Sequence, residues 1–104
     1  MSRTSDAGVL LERRLVAHAA AAGCTLAVVE AAWVRWASAT FTGARHTLTV
    51  SGADDQALAG WLAALPEAEL PLAGHLVADI VVAGLARADG RLTAAVEALT
   101  LEDR

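Results

Sequence analysis

Apolar positions along this chain recur first at helical spacing, then alternate, then repeat both rhythms, which predicts helix–strand–strand twice over. Leu11, Leu15, Ala19 and Ala22 fall on one face at spacings of four and three, while Glu12, Arg13 and Arg14 lie off it. The pattern predicts a helix over about 6–22, started by Ser5 or Asp6 as N-cap and closed by Gly23 as a left-handed C-cap, with residues 1–5 frayed. A second stripe, Leu58, Trp61, Leu62 and Leu65, predicts a helix over about 54–65. Ser51 or Asp54 would cap it, Asp54 and Asp55 suit its positive end, and Pro66 would stop it.

The segment between these helices is ambiguous. Leu26, Val29, Trp33 and Trp36 keep helical spacing, so a buried helix fits by length. The β-branched and aromatic residues of "VVEAAWVRWASATF" favour a strand over about 32–42, with 24–31 extended or bulged. A turn at Gly43–Ala44 would then pair Thr42 with Arg45, Phe41 with His46 and Ala39 with Leu48. One face of that hairpin carries Trp33, Ala37, Ala39, Phe41, His46, Leu48 and Val50. The other carries Trp36, Ser38, Thr40, Thr42, Arg45, Thr47, Thr49 and Ser51.

After the "PEAELP" loop, His75 to Arg87 and Arg91 to Leu101 read as a second hairpin closed by Asp89–Gly90, which sets Arg87 against Leu92 and Leu85 against Ala94. Unbroken alternation would put Val77, Val81, Ala83, Leu85, Leu92, Ala94 and Val96 on one side. Leu76, Ala78, Ile80, Val82, Gly84, Leu99 and Leu101 would lie on the other. The expected fold is α+β: a two-layer sandwich in αββαββ order, with a four-stranded antiparallel sheet and both helices on one face. The 104 residues are read as a single domain.

Composition sharpens the picture in three places. The chain is 56% hydrophobic but only 4% aromatic, with much of the apolar count supplied by alanine. Burial energy scales with area, so such a core is thin per residue, which favours oligomerisation. All eight basic residues are arginine, the signature of a GC-rich, bacterial-type coding bias, and they are scattered in a chain of net charge -4. A nucleic-acid partner needs concentrated positive charge, so none is expected. The lone Cys24 fits a reducing cytoplasm, the N-terminal residues lack a signal-peptide pattern, and the uncharged run Leu15 to Val29 is too short to span a bilayer, so no membrane is expected either.

The chemistry-bearing residues are sparse. His18, His46 and His75 make no closely spaced ligand pair, so no metal is expected. No phosphate- or dinucleotide-binding motif is present, so no cofactor is expected. Cys24, just past a helix cap, reads as a small buried hydrophobe. Asp79, flanked by apolar residues in a strand, and His46, on an apolar hairpin face, suggest an acid/base pair in a pocket, with Glu30 as another partner for His46 and Glu97 in a similar setting. The commoner reading places Asp79 at a sheet edge or beside Arg35, and His46 near a turn mouth. Trp36, Ser38, Thr40 and Arg45 could hold a small molecule on the hydroxyl-lined face, although solvated sheet faces commonly look the same.

The functional expectation is a non-catalytic binding or assembly domain that self-associates through its sheet; the alternative is a small enzyme or small-molecule-binding protein using His46 with Asp79 or Glu30. A homodimer is expected near the second hairpin, because two helices cover one face and unbroken alternation leaves five large aliphatic side chains on the other.

Overall fold

Why each segment takes the form it does is visible in a computed structural model that describes residues 3–103. The elements are α1 (Arg3–Ala21), β1 (Ala27–Ala37), β2 (Thr42–Ala53), α2 (Gln56–Ala64) prolonged by a 3-10 turn (Leu65–Glu67), β3 (His75–Ala88) and β4 (Arg91–Glu102). The four strands form one open antiparallel sheet in the order β1-β2-β4-β3, and the class is α+β. Among the described residues no helix is long and apolar enough to cross a membrane.

α1 begins earlier than its apolar stripe suggests: residues 3–5 are already helical, so Ser5 and Asp6 lie inside the helix and not at its start. Residues 1 and 2 of the segment expected to fray lie outside the described residues. Leu11, Leu15 and Ala19 are buried as the spacing requires, joined by Ala7, but Ala22 is exposed because the helix ends at Ala21. The end is a Schellman motif. Gly23 takes φ 84, its N–H donates to the Ala20 carbonyl at 3.0 Å, and the Cys24 N–H donates to the Ala19 carbonyl at 2.8 Å. Cys24 is thereby carried into the core.

The first hairpin turns elsewhere than at Gly43–Ala44. Ser38 to Phe41 form the turn: the Ser38 N–H donates to the Phe41 carbonyl at 2.8 Å, and Ser38 Oγ accepts from the N–H groups of Thr40 and Phe41 at 3.3 and 3.1 Å. A serine side chain here replaces a glycine turn. β1 therefore runs over 27–37, not 32–42, and the pairs are Trp33 with His46, Arg35 with Ala44, Trp36 with Gly43 and Ala37 with Thr42. Thr42 shares its face with Ala44 and His46, opposite Arg45, and Ser38, Ala39, Thr40 and Phe41 are turn residues on neither sheet face. A bulge at Val29 is the one irregularity in this pairing.

Gly43 is a strand residue, needed for close approach. A Cβ there would lie 2.0 Å from the Thr100 carbonyl oxygen and 3.2 Å from Trp36 Nε1.

α2 starts two residues later than its stripe suggested. Asp55, not Ser51 or Asp54, is the cap, its Oδ1 accepting from the Leu58 N–H at 2.9 Å. Leu58, Trp61, Leu62 and Leu65 are buried as the stripe requires, and Pro66 sits in the closing 3-10 turn. Asp54 instead bonds Arg87 Nε at 3.0 Å, tying the tip of the second hairpin to the start of α2.

The second hairpin turns at Asp89 and Gly90, both at positive φ (53 and 75), with Arg87 facing Leu92 and Leu85 facing Ala94 as the turn signal requires. Two bulges in β3, at Ala78 and Ala83, break the alternation. They move Ile80 and Val82 to the side of Ala98 and Val96, facing the helices, and put Leu76, Asp79 and Val81 with Leu101, Leu99 and Glu97 on the open face. The expected patch of five large aliphatics is consequently smaller: Leu76 and Val81 are exposed, Leu99 and Leu101 partly so.

Both helices pack on the face of Leu48, Val50, Ile80, Leu92, Ala94 and Val96, where the core lies. Each fully buried leucine or valine contributes about 1.5–3 kcal/mol. Ile80→Asp, placing a charge in that core, should unfold the chain as read by far-UV circular dichroism. Two glycines should respond in opposite senses in urea titrations. Gly43→Ala should destabilise by about 1–3 kcal/mol or prevent folding, since the Thr100 backbone in a central strand cannot yield. Gly60→Ala, in α2 with open space around it, should stabilise by about 0.5–1 kcal/mol.

Candidate functional site

The sheet separates the chemistry-bearing residues into two groups. In an antiparallel ladder, directly paired residues point to one face and their neighbours to the other. Trp33, His46, Ala98 and Ile80 form a row facing the helices, and Val34, Arg45, Leu99 and Asp79 form the adjacent row on the open face. Glu30 pairs with Thr49, so it too is on the open face. The register thus assigns the side chain of His46 to one face and those of Asp79 and Glu30 to the other.

His46 is buried, and its Nε2 lies 2.9 Å from Thr100 Oγ1. It sits mid-strand, away from the turn mouth where the sequence suggested it. Burial and, second, the neighbouring His75 lower its pKa below the usual 6.5, so the imidazole is neutral at pH 7. A recess of about 160 Å³ opens beside it between α1 and β1, lined by Val9, Glu12, Ala31, Trp33 and Leu48 among others. There an imidazole, a carboxylate and an indole surround a small space.

On the open face a shallow groove of about 350 Å³ is lined by Arg45, Thr47, Asp79, Glu97 and Leu99, with His46 and Ala98, whose side chains belong to the helix-facing row, also bordering it. Asp79 is exposed on the edge strand β3, and Arg35 lies on β1 at the opposite edge, so the two do not pair. Among the described residues Arg45, Asp79 and Glu97 take part in no salt bridge. The groove offers mixed charge around one leucine, an arrangement for weak polar contacts.

Trp36, also on the open face, lies over Gly43, with its Nε1 enclosed and without a hydrogen-bond partner among the described residues. Ser38 is committed to its turn, and Thr40 is exposed there. Of the hydroxyl ladder, Thr47, Thr49 and Ser51 remain beside Arg45, and Ser51 Oγ accepts from Arg91 at 3.2 Å. The residues read as one binding surface are therefore spread over the open face, the first turn and the helix-facing side.

One polar contact had no sequence signal. Trp61 Nε1 donates to His18 Nδ1 at 2.9 Å, joining α2 to α1 across 43 residues. An indole N–H only donates, so Nδ1 carries a lone pair and the imidazole proton sits on Nε2. Among the described residues no three His, Cys, Asp or Glu side chains converge as metal ligands would. No family model, curated protein or solved structure matches the chain.

The lowered His46 pKa has a thermodynamic consequence. The unfolded chain binds a proton at this residue near pH 6.5, whereas the folded chain binds it only at lower pH. The stabilisation is complete above the unfolded value and declines as pH falls through the folded one. The urea midpoint should therefore drop between pH 7.5 and 5, and His46→Gln should flatten that dependence.

Proposed function

We propose that this chain is a non-catalytic binding or assembly domain, working in a bacterial-type cytoplasm and associating with itself through its sheet as a homodimer or larger. The observation that carries the reading is unequal cover. Both helices pack on one sheet face, and the other presents Val34, Leu76 and Val81, with Leu99 and Leu101 half-covered. Removing aliphatic surface of this kind from water is favourable at about 25 cal/mol per Å², and two-fold symmetry is the commonest way for one surface to cover itself. The titratable groups, by contrast, are divided between two faces, which weakens an acid/base role for His46 with Asp79 or Glu30.

A second reading has one observation in its favour. The recess beside His46, with Glu12 and Trp33, is the size of a small polar molecule and supports small-molecule binding. A thermal-shift screen against small acids and amines separates the two readings, because a ligand specific to the folded state raises the midpoint and Trp33→Ala should abolish that rise.

Sedimentation at micromolar concentration tests the assembly reading directly. The expected species has at least twice the 10.7 kDa of one chain. A clean monomer would end it.

A further inference from the structure

The two edges of the sheet are not alike. β3 is an interrupted edge: bulges at Ala78 and Ala83 twist it, and Leu72 bridges back to His75 at its start. Bulges and covering loops are how natural sheets prevent an edge from recruiting another strand. β1 is the other outermost strand, and its one bulge lies near its start, at Val29. From Glu30 to Ala37 it pairs with β2 without irregularity. Along its free side, N–H and C=O groups have no strand to meet among the described residues.

β1 is also exposed on both faces. Val34 is 68% exposed on the open side and Trp33 40% on the helix side, with Val29 at 63% by the bulge. Val9 of α1 lines the same recess as Trp33, so the apolar surface continues from the strand onto the helix. Of the residues that natural sheets use to blunt an edge, the strand has two charges, Glu30 and Arg35, and neither lysine nor proline.

We infer that two copies of the chain pair antiparallel through their β1 edges, forming a continuous eight-stranded sheet. The inference rests on the self-association reading and locates it. A strand can pair with its own copy only about a two-fold axis normal to the sheet, which keeps open face with open face and helix face with helix face. Trp33 and Val9 of each copy then meet the other copy over the seam, and Val34 meets it beneath. The charges permit this. Glu30 and Arg35, the two charged residues of β1, cancel, so two chains of net charge -4 meet where each is locally neutral. For an axis through any of residues 32–34 neither charge faces its own copy, since Glu30 meets residue 34, 36 or 38 and Arg35 meets residue 29, 31 or 33.

Cysteine scanning in the full chain tests the inference. Residues Ala31, Ala32, Trp33 and Val34 are replaced singly by cysteine, with Val81→Cys and Leu99→Cys as open-face controls; the native Cys24 is buried and gives the background. A disulfide needs Cα atoms within about 7 Å, so only the residue on the axis links efficiently to itself. The expected result is one strong covalent dimer in the β1 series, falling at least tenfold two residues away, with both controls at background. Val34→Lys should lower the dimer fraction at least tenfold while leaving the circular dichroism spectrum unchanged, and Val81→Lys should leave the dimer intact. If the wild type sediments as a dimer but links through Val81→Cys or Leu99→Cys, the open face is the interface and the edge pairing is wrong, although assembly stands. A wild type that sediments as a monomer overturns both.

Discussion

The β2–β4 ladder is the constraint on which the rest of the molecule depends. It runs through eleven residue pairs, from Gly43–Leu101 to Ala53–Arg91, without a bulge. On the helix side it stacks Ala44 with Thr100, His46 with Ala98, Leu48 with Val96 and Val50 with Ala94, all buried. A slip of one residue would turn this whole set to solvent and bring Arg45, Thr47 and Glu97 inward, so the register has no near competitor. Each end of β2 in the ladder carries a glycine where another segment comes too close for a Cβ: the Thr100 carbonyl at Gly43, and Leu58 with the Thr25 carbonyl at Gly52. The polar pair inside it, His46 with Thr100, satisfies itself at 2.9 Å.

With the centre fixed, irregularity is confined to the edges, and that division decided what could be read from sequence. The helical stripes were legible because Leu11, Leu15, Leu58, Trp61 and Leu62 each touch the core directly. The caps at Gly23 and the turn at Asp89–Gly90 were legible because positive φ strongly selects glycine and tolerates aspartate. The bulges were not. Ala78 and Ala83 are neither glycine nor polar, and alternation carries no mark of an extra residue where small side chains fit either face. The first turn failed for a related reason: Gly43 offered the familiar signal, while the turn was made by the side-chain oxygen of Ser38.

These shifts explain the fate of the candidate site. His46 was placed correctly on the apolar face, since β2 alternates without interruption. Asp79 lies after the bulge at Ala78, so its apolar neighbours in sequence did not predict a buried position. A carboxylate between valines is desolvated only if the strand stays in phase with its partner. The same one-residue offset that exposed Asp79 drew Ile80 and Val82 into the core, so one device both dissolved the expected acid/base pair and shrank the expected aliphatic patch.

The placement of the aromatics follows from the thinness of the alanine-rich core. The chain has four aromatic side chains, three Trp and one Phe. Trp61 is in the core, where its N–H is satisfied by His18. The other three, Trp33, Trp36 and Phe41, all belong to the first hairpin or its turn, and none is fully buried. Aromatic groups carry the largest burial area per residue, so a lone chain would gain most by keeping them inside. Here the interior is filled by Leu, Val and Ala, and the two helices leave β1 nearly bare on both faces. Much of the apolar area that this fold leaves exposed therefore lies on the two edge strands, Val29, Trp33 and Val34 on β1 and Leu76, Val81 and Leu85 on β3, beside hydrogen-bonding groups that already have the geometry of a sheet.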